Sequence, residues 1–221
     1  MLCGIFVRGE IADIRQPLFL ESQFMGPLDD IHDNNINVKS RTLYLHQLDD
    51  EDSVSYKTIP TLIKNIDYLN SINKLPITLR TIGVDGGDVS YGLAAYSAIK
   101  NSKAKVNIEC MGFTASCGTI ILQAGNVRSI SRDGSYMVHF GSISLSTDVT
   151  AAQSILASNA LWKSQMLNIY AERCVNGKFF KDRKYNVARV KGYLNTKFKN
   201  HGDLYLNAED FLAYGFCDRI I

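Results

Sequence analysis

Three side chains of the types that cooperate in nucleophilic catalysis stand where the sequence predicts a strand end or a loop. Ser116 lies in the small-residue segment 115–118, ASCG, between a predicted strand and an apolar helix, where a sharp turn would expose its hydroxyl. His139 ends the apolar segment 136–138, and Asp203 stands in a polar loop. Taken singly, Ser116 favours a helix cap, His139 a buried core residue and Asp203 a turn former. Together they are the residue types of a serine nucleophile, its base and the carboxylate that orients the base.

A pair of adjacent glycines, Gly86 and Gly87, follows another predicted strand and precedes a helix. Glycines at such a turn let backbone N–H groups approach an anionic atom closely. The turn is not a phosphate-binding loop, because no Gly-Lys-Ser or Gly-Lys-Thr follows it. By itself the pair indicates a tight turn.

Composition excludes several classes of protein. The chain has 221 residues, 46% of them hydrophobic and 21% charged, which is typical of one soluble globular domain. No apolar stretch approaches the length of a spanning helix, and a net charge of +2 gives no reason to expect nucleic acid or a membrane surface as partner. Five cysteines without a Cys-x-x-Cys pair and four scattered histidines favour reduced thiols, with no metal and no cofactor. We therefore expect a cytoplasmic protein.

Strands and helices alternate from residue 41 onward. Residues 1–7 favour a strand rather than a signal peptide, and the stretch to residue 37 favours loops. The predicted strands are 42–46, 77–82, 105–110, 127–131 and 136–139, and the predicted helices are 53–70, 89–100, 117–124, 148–173, the second half of 178–199, and 208–213 after the N-cap Asn207. Alternation of this kind predicts β-α-β units and a mostly parallel sheet, with functional groups at the carboxyl ends of its strands.

The segment 110–118, CMGFTASCG, resembles the nucleophile segment of ClpP, the proteolytic subunit of the Clp protease family. Four further features match that family in the same order. They are the Gly-Gly turn with Gly92, the helix segment 122–125, the strand 136–139, and the pair of segments 203–210 and 214–220, the latter reading YGFCDRI. The likeness covers about residues 41–221, and residues 1–40 form a divergent N-terminal segment.

The resemblance implies a ClpP/crotonase-like α/β fold, with a mostly parallel sheet of repeated β-α-β units and a long protruding helix. It assigns Ser116 as nucleophile, His139 as general base and Asp203 as the group that orients the histidine. The chain order serine, histidine, aspartate differs from that of other well-known triads. Whether these residues form a triad therefore depends on the geometry of their side chains.

The same resemblance implies an oxyanion hole made of backbone N–H groups. Gly87 and Cys117 would supply the two N–H donors, and Gly86 would support the turn. One such donor stabilises a transition state by about 3 kcal/mol, so the position of the Gly-Gly turn matters.

As implied by the resemblance, the protein is a serine endopeptidase that cleaves proteins or peptides inside a homo-oligomeric ring, a heptamer or double heptamer. It would serve ATP-dependent degradation together with an AAA+ unfoldase. The sequence departs from the family in a short segment after His139, in an insertion near 177–186 and in its first 40 residues.

Two alternatives stay open, and the departures favour only the first of them. The first is a phage prohead or capsid maturation protease of the same fold that acts without an ATPase. The second is a non-catalytic structural subunit or an acyl-CoA-binding relative of the crotonases. It ranks last because all three members of the predicted triad are present in order.

Overall fold

The computed structural model describes residues 27–48, 52–142 and 145–221, and within them the chain folds into one sheet with helices packed against it. The strands are β1 (Ile36–Asn37), β2 (Thr42–His46), β3 (Ile77–Val84), β4 (Val106–Ala115), β5 (Arg128–Ile130), β6 (Ser135–Val138), β7 (Leu204–Leu206) and β8 (Arg219–Ile220). The helices are α1 (Pro27–Asn34), α2 (Ile59–Ile72), α3 (Val89–Lys100), α4 (Cys117–Gln123), α5 (Val149–Cys174), α6 (Lys178–Asp182), α7 (Val187–His201) and α8 (Ala208–Tyr214).

The sheet is mostly parallel. Its strands follow the order β1-β2-β3-β4-β5-β8, and β6 pairs with both β4 and β7. The pairs β2–β3, β3–β4, β4–β5, β4–β6 and β5–β8 are parallel, whereas β1–β2 and β6–β7 are antiparallel. The predicted α/β class with repeated β-α-β units is therefore confirmed.

The long strand β4 divides the sheet into two parts. Its first half pairs with β5 through residues 108–110, and its second half pairs with β6 through residues 113–115. Gly112, which lies between these halves, has a φ of +75°, and the neighbouring strand β3 has a bulge at Gly83, with a φ of +60°. These left-handed conformations suit glycine and bend both strands, so the second half of β4 is directed toward β6.

The core lies between the sheet and its helices. Alternate residues of the central strands are buried, as the side-chain period of a strand requires. On the helix α2 the buried residues recur at helical spacing, and they are Ile59, Leu62, Ile66 and Leu69.

Helix α5 projects beyond the core, in agreement with the predicted protruding helix. Its second half is buried around Met166 and Tyr170, whereas Val149 and Leu161 in its first half are 75% and 70% exposed. The predicted apolar stripe along this helix therefore packs inside the subunit only over its second half.

Several element boundaries differ from the sequence predictions. The helix predicted over 53–70 begins only at Ile59, because residues 53–58 form a hydrogen-bonded loop and Pro60 suits a first helical turn. The stretch up to residue 37, for which the sequence predicts loops, contains α1. Strand β4 continues five residues past its predicted end at Cys110, since Gly112 bends the strand without ending it.

Residues 178–201 form two helices, α6 and α7, rather than one helix in the second half alone. The strand predicted over residues 1–7 lies outside the described residues. Among those that are described, no helix is both long and apolar enough to cross a membrane.

Candidate functional site

Strands β4 and β6 bring Ser116 and His139 together. The two strands run parallel and Ala115 pairs with Met137, so the residues that follow them leave the sheet at the same edge. Ser116 N–H donates a hydrogen bond of 3.0 Å to the Met137 carbonyl, which joins the two strand ends directly. The carboxyl ends of parallel strands thus place the serine beside the histidine.

Strand β7 brings Asp203 to the same place from a distant part of the chain. It runs antiparallel to β6, with Leu204 opposite Val138, so Asp203 lies beside His139. Sequence reasoning placed Asp203 in a loop, and the structure adds the short strand that fixes its position. Asn207, at the other end of this strand, caps α8 by accepting a 2.7 Å hydrogen bond from Asp210 N–H, as predicted.

The three side chains form a continuous line of hydrogen bonds. His139 Nε2 lies 2.9 Å from Ser116 Oγ, and His139 Nδ1 lies 2.8 Å from Asp203 Oδ1. An ionised carboxylate can only accept, so Nδ1 carries the proton in the neutral ring and Nε2 accepts the hydroxyl proton of Ser116. The His139 side chain is 20% exposed and that of Asp203 is 53% exposed, so the line runs from a sheltered turn toward solvent.

Ser116 adopts a backbone conformation that few residues other than glycine adopt. Its φ of +51° and ψ of −125° place it between β4 and the first turn of α4. Strained conformations of this kind persist where the surrounding structure holds them, and they cluster at functional sites. The predicted sharp turn at Ser116 is present, with the hydroxyl directed at the imidazole.

The Gly-Gly turn packs directly against Ser116. A Cβ on Gly86 would lie 2.7 Å from Ser116 Cβ, and one on Gly87 would lie 2.3 Å from the Val54 carbonyl oxygen. Both glycines have positive φ values, +122° and +133°. A side chain at either position would displace backbone or Ser116 itself.

The peptide between Gly86 and Gly87 is held by Val54. Val54 N–H donates to the Gly86 carbonyl at 2.7 Å, and Asp88 N–H donates to the Val54 carbonyl at 2.9 Å. In a planar trans peptide the C=O and N–H point in opposite directions, so the Gly87 N–H points away from Val54. The loop 52–58 therefore sets the direction of one predicted oxyanion donor.

Cys117 supplies the other predicted donor from the start of α4. The first N–H groups of a helix have no acceptor within it, so the Cys117 N–H is available to a ligand. The Cys117 thiol donates to the Gly87 carbonyl at 3.2 Å, which holds the two residues next to each other. Burial raises the pKa of this thiol to about 11, so it stays protonated near neutral pH.

Two residues near the site escaped sequence reasoning. Thr119 Oγ1 donates to the Ser116 carbonyl at 2.7 Å, and Tyr170 Oη lies 2.6 Å from Thr119 Oγ1. Thr119 is the one polar residue between Gly118 and Leu122, which is a weak local signal. Tyr170 follows 51 residues later, and nothing near it in sequence indicates this contact. Within the described part of the chain, no cluster of three or more His, Cys, Asp or Glu side chains could hold a metal ion.

A serine bonded to a histidine that is bonded to an aspartate, at a strained strand-to-helix turn, is the arrangement of a serine hydrolase. The family model described as Clp protease matches residues 33–221. The chain therefore belongs to the Clp protease family, and it is a serine protease of the Clp type.

Named relatives agree with this membership. The ATP-dependent Clp protease proteolytic subunit 3 of Synechococcus sp. is 28% identical over 165 residues, which cover 73% of this chain and 74% of the relative. The ATP-dependent Clp protease proteolytic subunit of Streptococcus pyogenes serotype M1 is 27% identical over 178 residues, covering 77% and 80% respectively.

A solved structure shows the same fold. A mutant of ClpP1 from Listeria monocytogenes superposes with a TM-score of 0.66 at 19% sequence identity, covering 83% of this chain and 92% of the other. The predicted ClpP-like fold class and peptidase class are confirmed.

Proposed function

We propose that the protein hydrolyses peptide bonds through Ser116, His139 and Asp203. The observation that supports this proposal is the unbroken line of two hydrogen bonds, 2.9 Å and 2.8 Å long, that joins the three side chains. Both distances suit direct proton transfer or orientation without rearrangement of the site.

In the proposed reaction, Ser116 Oγ attacks the carbonyl carbon of the scissile bond while His139 Nε2 takes its proton. The imidazolium then gives this proton to the departing amine, which leaves an acyl group on Ser116. A water molecule then attacks the acyl carbon while His139 Nε2 takes its proton. The imidazolium returns this proton to Ser116 Oγ as the acid product leaves. Asp203 holds the Nδ1–H tautomer and stabilises the charged ring throughout.

The oxyanion of each tetrahedral intermediate would lie between the Gly87 and Cys117 N–H groups. Val54 anchors the peptide that carries the Gly87 N–H, and a hydrogen bond from the Cys117 thiol to the Gly87 carbonyl holds the two residues together. Gly86 supports the turn because its missing side chain leaves room for Ser116. Donors fixed before the reaction need no reorganisation when charge develops.

We propose that the active form is a homo-oligomeric ring, heptameric or doubly heptameric. Helix α5 carries exposed apolar side chains along its projecting half, and large exposed apolar areas mark interaction sites. These side chains are Val149, Ile155, Leu156 and Leu161. The matched relatives are named as proteolytic subunits of ATP-dependent proteases, so an AAA+ unfoldase is the proposed partner and protein chains are the proposed substrates.

The proposed division of the chain is a divergent N-terminal segment over 1–40 and the peptidase domain over 41–221. The proposed triad and the proposed oxyanion donors all lie in the second part. The four buried cysteines of the described residues are free, which agrees with the proposed work in the reducing cytoplasm.

A fluorophosphonate probe followed by peptide mapping tests the proposed nucleophile. We expect labelling of Ser116, and we expect Ser116→Ala to lose peptidase activity and labelling while keeping the thermal midpoint and solution mass. Ser90→Ala is a control, because Ser90 lies on the exposed first turn of α3 and should leave labelling intact. Labelling at another residue, or full activity in Ser116→Ala, would overturn the proposal.

Degradation of a stably folded protein with and without ATP and a Clp unfoldase tests the proposed partner. Turnover that requires both supports ATP-dependent degradation. Cleavage of capsid or scaffold protein without ATP would instead support the maturation protease. Binding of a coenzyme A thioester, together with no fluorophosphonate labelling of Ser116, would support the crotonase-like alternative.

A further inference from the structure

A buried chain of hydroxyl groups connects helix α5 to the backbone of Ser116. Tyr170 on α5 and Thr119 on α4 both have no exposed surface, and their oxygens lie 2.6 Å apart. Thr119 Oγ1 lies 2.7 Å from the Ser116 carbonyl oxygen, and Thr119 N–H donates to the same oxygen at 3.0 Å.

The direction of these hydrogen bonds follows from the number of protons. A carbonyl oxygen can only accept, so Thr119 gives its single hydroxyl proton to Ser116. Thr119 Oγ1 must then accept from Tyr170, which donates its phenolic proton. Burial raises the pKa of this phenol, so Tyr170 remains a donor at physiological pH.

The ring of Tyr170 is fixed by its aromatic neighbours. Phe216 lies edge-on at a centroid distance of 5.3 Å, and Phe198 lies edge-on at 6.1 Å. A side chain already held by packing loses little further freedom when it makes a hydrogen bond, so these contacts favour the bond from the Tyr170 phenol to Thr119.

The anchored carbonyl belongs to the peptide between Ser116 and Cys117. Because this peptide is planar and trans, fixing the direction of its C=O also fixes the direction of the Cys117 N–H. The same relation holds for the Gly86 carbonyl, which Val54 anchors, and the Gly87 N–H. Each proposed oxyanion donor thus has an anchor on the carbonyl of its own peptide.

We propose that Thr119 and Tyr170 are positioning residues that hold the Ser116–Cys117 peptide so that the Cys117 N–H faces the oxyanion. This inference rests on the proposed function of Ser116 and Cys117. The hydroxyl groups of Thr119 and Tyr170 act on the transition state through one backbone peptide, rather than by contact with the substrate or with His139.

The test measures kcat and KM on a fluorogenic peptidyl coumarin amide with the assembled protein. Tyr170→Phe removes one hydroxyl and should lower kcat about 3- to 10-fold with KM unchanged, because ground-state binding does not use the oxyanion donors. Thr119→Val removes the donor itself and should lower kcat about 10- to 100-fold. Thr119→Ser keeps the donor and should recover most of this loss.

A double variant tests whether Tyr170 acts through Thr119. In the Thr119→Val background, Tyr170→Phe should cause no further loss, because the group it supports is already gone. Additive losses in the double variant would overturn the proposal that Tyr170 acts through Thr119. Affinity for a peptide boronate, whose tetrahedral adduct uses the oxyanion hole, should fall in parallel with kcat.

Tyr136→Phe is the matched control. Tyr136 is also fully buried and donates at 2.6 Å to a backbone carbonyl, but its acceptor is Ser131 rather than Thr119. The inference is overturned if Tyr170→Phe behaves like Tyr136→Phe in kcat, or if Thr119→Ser fails to restore activity. If Thr119→Val does not assemble, the comparison of kcat between Tyr170→Phe and Tyr136→Phe tests the inference alone. An active Ser116→Ala would instead refute the proposed function.

Discussion

Gly86 lies so close to Ser116 that a Cβ on the glycine would sit 2.7 Å from Ser116 Cβ and 3.1 Å from its Oγ. The closest atoms belong to the short side chain and turn of Ser116, which cannot move aside without disturbing the bond to His139. The glycine is therefore required by the space that the hydroxyl occupies.

Gly86→Ala should reduce kcat/KM by at least about 100-fold, comparable to the loss of an oxyanion donor, since the added methyl displaces Ser116 or the turn. Rates of peptide hydrolysis and of fluorophosphonate labelling measure this loss. Gly83→Ala is the control for an alanine at a positive φ, because its φ is +60° and nothing lies within 4 Å of the new Cβ. Equal losses in the two variants would show that strain, rather than contact with Ser116, is responsible.

Asp203→Asn should lower kcat by about 10²- to 10⁴-fold, because an amide can donate to His139 Nδ1 and so favour the tautomer in which Nε2 carries the proton. That ring cannot accept the Ser116 proton. Steady-state kinetics over a range of pH checks the loss. Asp210→Asn, on the exposed first turn of α8, should keep kcat within about twofold. A fully active Asp203→Asn would remove Asp203 from the proposed triad.

The hydrogen bonds of Arg128 hold the C-terminal segment against the sheet. Its guanidinium is 3% exposed, contacts both carboxylate oxygens of Asp218, and donates to the Gly215 and Phe216 carbonyls at 2.9 Å and 3.1 Å. Arg128→Met removes every guanidinium donor to these groups, although Gln123 Nε2 still donates to the Phe216 carbonyl and the backbone N–H of residue 128 still donates to Asp218. The change should reduce the free energy of unfolding by about 2–4 kcal/mol.

Urea unfolding at fixed protein concentration measures the Arg128→Met effect. The matched control is Arg132→Met, because the Arg132–Glu209 pair is 65% and 61% exposed. Exposed pairs contribute less than about 1 kcal/mol, so this control should barely shift the midpoint. Similar shifts in the two variants would contradict the structural role of Arg128.

The same contact predicts a dependence on pH. Burial acts to raise the pKa of Asp218, but hydrogen bonds and charge from Arg128 outweigh it and hold the pKa below its usual value of 3.8. A lowered carboxyl pKa contributes stability that is present above the unfolded pKa and is lost as pH falls through the folded one. Wild type should therefore exceed Asp218→Asn in stability at pH 7, and the two should converge in acid. A difference that does not shrink as the pH falls through and below 3.8 would contradict this assignment.

The features that sequence reasoning found depend on neighbours in the chain. The sharp turn at Ser116 follows from its small neighbours, and the cap at Asn207 follows from residue type alone. The meeting of His139 and Asp203 was predicted from the family resemblance, since no local pattern links them. The structure supplies the reason, the antiparallel pairing of β6 and β7.

The features that were missed depend on contacts distant in sequence. The start of α2 was wrong because Ser53 to Thr58 bond among themselves, and Val54 pairs with Gly87 instead of entering the helix. The support of Ser116 by Thr119 depends on a tyrosine from another helix. Periodicity records the buried face of an element, but it carries no information about which partner meets a particular hydroxyl.

Cys117, although it is next to the proposed nucleophile, should be inert to alkylation. Its thiol is 1% exposed, and burial raises its pKa to about 11, so roughly one molecule in 10³ carries a thiolate at pH 8. Peptide mapping after treatment of the folded protein with iodoacetamide at pH 8 should find Cys117 unmodified, whereas the same treatment in guanidinium should modify it fully. Rapid alkylation of Cys117 in the folded protein would show that the turn opens in solution, and the geometry of the Ser116 site would then have to be measured in that open state.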